Sequence, residues 1–289
     1  MGYFILVMKY TINHFRKEFP TDDVCLDYLL KVRFGGKTGT CPHCHKKANW
    51  ARVTGRKCYA CSWCAHQLFP TAGTIFHKSS TPLTDWFYAI FLMSQSKNGV
   101  AAAEIMRVVG ITYKCAHRMM LKIRELMTQG GSLFDGVVEA DETYVGGVRR
   151  GKRGRGAEGK TPVFGIVKRD GQVFAKAVAN VKSSTVMPLI RENVQIGATV
   201  MTDTFAIYNK SKKMGYTHET VDHGAKEYVR GKVHTNTIEG FWSQLKRSID
   251  GTHHSVSGKH LQKYVDEHAF RYNHRASPVD LFHLLMVRV

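Results

Sequence analysis

The period of hydrophobic and polar positions changes along the chain, and each change marks a different kind of element. From residue 9 to 34, and again from 82 to 129, apolar residues recur every three or four positions, as helices with one buried face require. Val24, Cys25, Tyr28, Leu29 and Val32 carry this period in the first stretch, and Gly35 and Gly36 end it. In the second stretch, 83–94 reads as an apolar and aromatic core helix. A short helix over 100–109, a turn at Gly110, Ile111 and Thr112, and a third helix over 113–127 follow, with Thr112 as N-cap. Gly130 and Gly131 mark a boundary, after which the period falls to two. Residues 136–147, 161–171 and 172–181 read as consecutive strands, with Asp170 and Gly171 turning the second into the third. A helix over 183–194, a buried strand within 198–208 that ends at Asp203, and a strand over 216–223 come next. The run predicts an α/β domain on a mixed five-stranded sheet, with both helical and strand-rich parts in one chain.

The stretch HTNTIEGFWSQLKRSID, residues 234–250, returns to helical period with two faces. Ile238, Phe241, Trp242, Leu245 and Ile249 form an apolar stripe. Asn236, Glu239, Ser243 and Lys246 form a polar one, its carboxylate and ammonium two turns apart, about 10 Å along the axis. Such a face can seat a metal ion at one end and a phosphate at the other. Asn236 with Glu239 three positions on also has the form of a capping box at a helix start. A final helix is predicted over 259–272.

Charge narrows the partner. Lys and Arg exceed Asp and Glu by 19 over 289 residues, and the pI is near 9.7. That balance points to a polyanion, and double-stranded DNA is the expected one. It falls unevenly. Lys114, Arg118 and Lys122, with His117 and Arg124, line the predicted 113–127 helix, so helix, glycine turn and basic helix have the pattern of a helix-turn-helix. Residues 148–160 hold six basic residues, one acid and four glycines, including Arg149, Arg150, Arg153 and Arg155. This segment has nothing to bury and reads as a clamp on a DNA backbone. No apolar run approaches the length of a membrane span, and residues 3–8 are too short for a convincing signal peptide. A soluble, cytoplasmic, nucleoid-associated protein is expected.

Five of the seven cysteines cluster between 41 and 64. An odd, clustered set argues for a metal site in a reducing compartment rather than a disulfide framework. Cys41-x2-Cys44 and Cys61-x2-Cys64 stand 16 residues apart, the spacing of a four-thiolate zinc ribbon. Cys58 with Cys61 is an alternative second pair, with a gap of 13. The longer gap favours Cys64 over Cys58 as the fourth ligand. Lys46, Lys47, Arg52, Arg56 and Lys57 on the same ribbon make DNA contact a further expectation.

Three acids remain. Asp141 falls near the end of the first strand, Asp203 ends the fourth, and Glu239 is on the helix after the fifth. Asp203 follows Asp141 by 62 positions, and 35 residues separate Asp203 from Glu239. If the first and fourth strands are neighbours, both aspartates reach one edge of the sheet. Converging carboxylates repel one another unless a divalent cation neutralises them, and magnesium takes oxygen ligands while keeping positions for water and phosphate. Two such ions serve phosphoryl transfer on a nucleic acid. Glu139 and Glu142 are read as structural, on the opposite face of the strand from Asp141.

The blocks CPHC, CSWC, QLFPTAGTIF, VVEADETYVGG, VMTDTFAIY and HTNTIEGFWSQLKR together resemble the zinc-ribbon DDE transposases of bacterial insertion sequences, of the ISXO2-like family. The likeness extends over nearly the whole chain. It implies an RNase H-like catalytic core over 131–289, behind an N-terminal helical segment (1–36), a zinc ribbon (37–76) and a helix-turn-helix domain (77–130). It implies Asp141, Asp203 and Glu239 as catalytic acids on two Mg2+ ions, Lys246 as the following basic residue, and Zn2+ as a structural cofactor. Asn236, one turn before Glu239, is the alternative third ligand, since some members use asparagine there. The implied activity is cleavage of 3′ ends at terminal inverted repeats and their joining to target DNA, carried out by a homodimer or larger assembly on DNA. A DNA-binding regulator on an inactive core, or a nuclease that cuts without joining, are the alternatives.

Overall fold

The structure is a computed structural model that describes residues 10–131, 133–146, 159–222, 225 and 229–289. The chain divides into two compact units. One comprises Met1–Ser96, Ala102–Leu126 and Ser277–Val289, the other Lys97–Ala101 and Met127–Ala276.

The first unit opens with α1 (Ile12–Glu18) and α2 (Asp22–Phe34). Thr11 and Thr21 cap them, each accepting from the N–H three residues on, and Gly35 ends α2 at φ 79°. A four-stranded antiparallel ribbon follows in sequence order: β1 (Thr38–Thr40), β2 (Lys47–Arg52), β3 (Tyr59–Cys61) and β4 (Gln67–Leu68). Then come α3 (Leu83–Gln95), α4 (Ala102–Val109) and α5 (Tyr113–Glu125). Gly110 stands between the last two at φ 77°, and the Thr112 hydroxyl accepts from Cys115 N–H to start α5. The turn and cap lie where the sequence puts them because both are local.

Two features of this unit depart from the sequence reading. The C-terminal helix Leu281–Met286, assigned by sequence to the catalytic domain, packs here instead. Its Phe282 enters an aromatic cluster, with ring centroids 5.4 Å from Phe19 and 5.7 Å from Phe15, and that apolar payload decides its location. Arg124, read as part of the basic face of α5, is buried. It shares the inward side of the helix with Met120 and Ile123, so periodicity alone places it there.

The second unit is built on β5 (Val137–Val145), β6 (Thr161–Lys168) and β7 (Val173–Ala177), then α6 (Ser183–Asn193), β8 (Thr199–Asp203), β9 (Thr217–Val221), α7 (Asn236–Ser248) and α8 (Gly258–Asn273). The sheet order is β7-β6-β5-β8-β9. The first three strands in sequence pair antiparallel, and β8 and β9 add parallel on the far side of β5. Two short 3-10 turns, Ala206–Lys210 and Lys212–Met214, fill the crossover between β8 and β9. Each face of the sheet has its own core. Val138, Ala140, Phe164 and Ile166 pack against Val186, Met187 and Ile190 of α6. Val145, Val163 and Val167 pack against Ile238, Phe241, Trp242 and Leu245 of α7 and Leu261 and Val265 of α8. This is helix, sheet, helix layering on a mixed five-stranded sheet, the architecture expected of an RNase H-like transposase domain.

Candidate active site

The zinc ligands are the most compact of the chemical groups. The sulfurs of Cys41, Cys44, Cys61 and Cys64 all lie within 4.8 Å of one another. Two of the Sγ–Sγ distances are 3.7 Å (Cys41–Cys64) and 3.8 Å (Cys44–Cys61). Thiolates about 2.3 Å from a tetrahedral ion stand about 3.8 Å apart, so the set fits zinc. The two knuckles repeat one backbone design. Cys41 C=O accepts from His45 N–H and Cys61 C=O from Ala65 N–H, while the N–H of each cysteine donates to the C=O five residues on. His45 and Ala65 both take φ 58° to close the loops. Burial opposes the Cys61 thiolate, but the N–H groups of Cys64 and Trp63 and the neighbouring thiols outweigh it and bring its pKa to about 7. Cys58 is buried outside the cluster, its thiol 3.7 Å from Gln67 Oε1. The choice of Cys64 over Cys58 therefore agrees with the geometry.

The carboxylates lie in the second unit. The parallel register of β5 and β8 pairs Val137 with Thr199, Val138 with Val200 and Glu139 with Met201. Carried two residues on, the same offset sets Asp141 beside Asp203, on strands spaced about 4.8 Å apart. Asp203 ends β8 and its Oδ1 accepts from Phe205 N–H at 3.0 Å, which turns the chain away from the sheet edge. Asp141 is central in β5 rather than near its end, because the strand continues to Val145 against β6. Glu239, in the first turn of α7, accepts from the Thr235 hydroxyl at 2.9 Å.

Burial pushes the Asp141 carboxyl up, and the negative charges of Glu142, Asp203 and Glu239 push it further, to about 7. The three predicted acids thus share one electrostatic environment. They are less tightly gathered than the thiols: among the described residues, only the four cysteines converge within 4.8 Å as a metal-ligating group.

Glu139 corrects the sequence reading. It is two residues from Asp141, so strand alternation puts both on the same face, the one that packs against α7. It is fully buried, yet it is not idle. Its Oε2 accepts from Thr237 N–H at 2.8 Å and Ile238 N–H at 3.1 Å, and its Oε1 from the Thr237 hydroxyl at 2.9 Å. A carboxylate from another element therefore satisfies the free N–H groups at the start of α7. The capping box expected of Asn236 and Glu239 does not form: Asn236 is already helical, and Thr235 at the N-cap position makes no side-chain capping bond. Arg169 Nε donates to Glu139 Oε1 at 2.8 Å, and its two other nitrogens donate to the Lys232 and His234 carbonyls at 2.7 and 3.0 Å. Glu142 does lie on the opposite face, where its Oε2 accepts from the buried Tyr208 hydroxyl at 2.8 Å.

Trp242 also bears on the site. Its Nε1–H donates to Asp141 Oδ2 at 3.1 Å. The ring lies over Gly165, the residue paired with Asp141 across β5 and β6, where an added Cβ would stand 2.6 Å from the ring carbons. The apolar stripe of the sequence reading contained Trp242, but periodicity carries no sign of its polar edge.

Of the other predicted residues, Asn236 and Lys246 are exposed on α7, flanking Glu239 at one and two turns. Lys114, Arg118 and Lys122 form an exposed row on α5, opposite the buried Ala116, Met119 and Ile123. Lys122 also pairs with Glu125 at 2.9 Å. Arg149, Arg150, Arg153 and Arg155 lie outside the described residues.

Comparison with known proteins follows the same layout. Residues 20–67 match the transposase zinc-ribbon domain and residues 133–273 the ISXO2-like transposase domain. A protein in transposable element ISH50 of Halobacterium salinarum is 28% identical over 271 residues, covering 86% of this chain and 90% of that one. A transposase-like protein of Haemophilus influenzae is 29% identical over 102 residues, 35% of this chain and 81% of that one. Among solved structures, a simian T-cell lymphotropic virus intasome in complex with PP2A regulatory subunit B56 gamma overlaps with a TM-score of 0.30 at 13% identity. That match covers 62% of this chain and 64% of that one, a likeness too slight to argue from. Asp141, Asp203 and Glu239 all fall inside the matched transposase domain and the four cysteines inside the matched ribbon, so the chain carries a transposase zinc-ribbon domain followed by an ISXO2-like transposase domain.

Proposed function

We propose that the chain cuts DNA at the ends of its element and joins the freed 3′ ends to target DNA by metal-assisted phosphoryl transfer. The observation that carries this reading is the placing of three acids by neighbouring elements: the parallel register of β5 and β8 sets Asp141 beside Asp203, and Glu239 stands in the first turn of the helix whose Trp242 bonds to Asp141. Their donor chemistry suits a hard divalent cation, since an oxygen cluster that lifts one carboxyl to about 7 is relieved by positive charge. Asp141, Asp203 and Glu239 would hold two Mg2+ ions, which when bound activate an oxygen nucleophile and stabilise the departing oxygen of a phosphodiester. Glu239 rather than Asn236 is the third ligand of this reading, because a carboxylate binds Mg2+ better than a carboxamide and Lys246 follows it two turns on.

The chain's own groups hold these oxygens in place. Trp242 Nε1–H engages Oδ2 of Asp141, Phe205 N–H engages Oδ1 of Asp203, and the Thr235 hydroxyl engages Oε1 of Glu239. Lys246, exposed two turns beyond Glu239, offers a cation to the phosphate backbone. Water attacks phosphorus and the bond to the 3′ oxygen breaks. The 3′-hydroxyl released then attacks a target phosphorus with the same geometry, the bond from that phosphorus to the target's own 3′ oxygen breaks, and the attacker's proton is balanced by the new target 3′-hydroxyl, so no covalent protein intermediate is needed. The α4–turn–α5 segment and the zinc ribbon bind the terminal inverted repeats, with Lys114, Arg118 and Lys122 toward DNA and the basic segment that includes Arg149, Arg150, Arg153 and Arg155 on its backbone. Two ends brought together require a dimer or larger assembly on DNA.

The test is an assay with labelled element ends, a target plasmid and Mg2+. Cut ends and joined products from the wild type, both lost in Asp141→Ala, Asp203→Ala and Glu239→Ala, are expected. Cut ends without joined products would make the protein a nuclease. Specific end binding without cutting would make it a regulator.

A further inference from the structure

Helix α7 is fastened to β5 at two points, one on each side of Glu239. Two and one residues before Glu239, the N–H groups of Thr237 and Ile238 bond to Glu139. Three residues after it, the indole N–H of Trp242 bonds to Asp141. Both strand residues lie on one face of β5, two positions apart, and both attachments are built into the interior. Glu139 is fully buried and held by Arg169, which also grips the Lys232 and His234 carbonyls of the segment leading into α7. Trp242 is 4% exposed, and the missing side chain at Gly165 gives its ring the room to reach Asp141.

From this we infer that Glu139 and Trp242 are positioning residues, a two-point clasp that sets where the Glu239 carboxylate stands relative to Asp141. The inference rests on the phosphoryl-transfer reading above and adds residues to it. A buried carboxylate that only balanced Arg169 would not need both oxygens on the N-terminus of the helix that carries a proposed ligand. A tryptophan that only filled the core would not need its polar edge on another proposed ligand. Groups that orient metal ligands without touching the metal govern affinity, and their loss typically weakens binding about 10–100-fold.

The experiment uses the full chain and Mn2+ as probe, with binding read by electron paramagnetic resonance or calorimetry. Zinc content and melting temperature establish that each variant is folded. Glu139→Gln keeps the shape of the side chain but removes its charge and turns an amide NH2 toward a site whose Arg169 Nε–H, Thr237 N–H and Ile238 N–H can only donate. Trp242→Phe keeps an aromatic ring but removes the indole N–H together with part of the buried ring volume, which is why the melting temperature is read beside binding. Thr237→Ala serves as a milder probe of the same cap. Asp203→Ala defines which Mn2+ signal belongs to the carboxylate site. The expected result is Mn2+ binding at that site weakened about tenfold or more by Glu139→Gln and by Trp242→Phe, and less by Thr237→Ala. Faster amide exchange at Thr237 and Ile238 is expected in Glu139→Gln alone. Wild-type binding matched by both Glu139→Gln and Trp242→Phe overturns the clasp and leaves the phosphoryl-transfer reading standing. A wild type with no Mn2+ signal sensitive to Asp203→Ala overturns that reading, and the clasp with it.

Discussion

Asp141 meets a buried setting, a tryptophan N–H and three other carboxylates, and its carboxyl is raised to about 7 as a result. Its ordinary value in an unfolded chain is about 3.9. A folded-state value above the unfolded one means that the folded state holds the proton more tightly. The stability it contributes is complete below about pH 4 and lost as pH rises through about 7. In magnesium-free buffer, the second unit of the wild type is therefore expected to melt lower at pH 8 than at pH 5 on account of this group. Asp141→Asn should flatten the trend, with each kcal/mol recovered at pH 8 raising the melting temperature by roughly 2–4 °C. Calorimetry that shows the same slope in both proteins would refute this account of Asp141. Gly165 makes a second residue-scale prediction. Gly165→Ala drives a methyl group into a packed indole, so a loss of about 1–3 kcal/mol is expected in denaturant unfolding, together with loss of strand cleavage. An alanine variant as stable and active as wild type would show that Trp242 can move without consequence. At this scale the sequence was only partly legible. Asp203 and Glu239 could be located because each ends or begins a recognisable element. Glu139 and Trp242 act through partners about 100 positions away, and no local pattern reports that distance.

The elements most legible in the sequence are those whose cause is local. The knuckles follow from cysteine spacing, Thr112 starts α5 from three residues away, and Gly110 permits the turn before it. The C-terminal helix resisted reading because its position depends on Phe282 meeting rings from the beginning of the chain. Two predictions belong here. Metal analysis should find one zinc per chain, retained in Cys58→Ser and lost with ribbon structure in Cys61→Ser, because only the latter removes a thiol from the four-sulfur cluster. Zinc lost from Cys58→Ser and kept by Cys61→Ser would reverse the ligand assignment. The exposed row on α5 predicts that Lys114→Ala with Arg118→Ala weakens binding to end DNA and lowers the salt slope of log affinity by about 2. An unchanged slope would remove α5 from the DNA interface.

For the whole molecule, a net charge of +19 and the order of matched domains describe a chain whose first unit carries the zinc ribbon and the proposed DNA-reading helices, and whose second carries the acids. Among the described residues no helix is long and apolar enough to cross a membrane. Composition made the polyanionic partner legible before any fold was known, because charge excess needs no geometry. The placing of the acids on β5, β8 and α7 relative to one another depends on the register of two parallel strands and the docking of a helix, which no local pattern reports. The most direct measurement is anomalous scattering from Mn2+ in crystals of the full chain bound to a cleaved element end. The account predicts Mn2+ coordinated by carboxylate oxygens of Asp141, Asp203 and Glu239 beside the DNA 3′ end. Mn2+ bound elsewhere, with those three side chains turned away from one another, would contradict it.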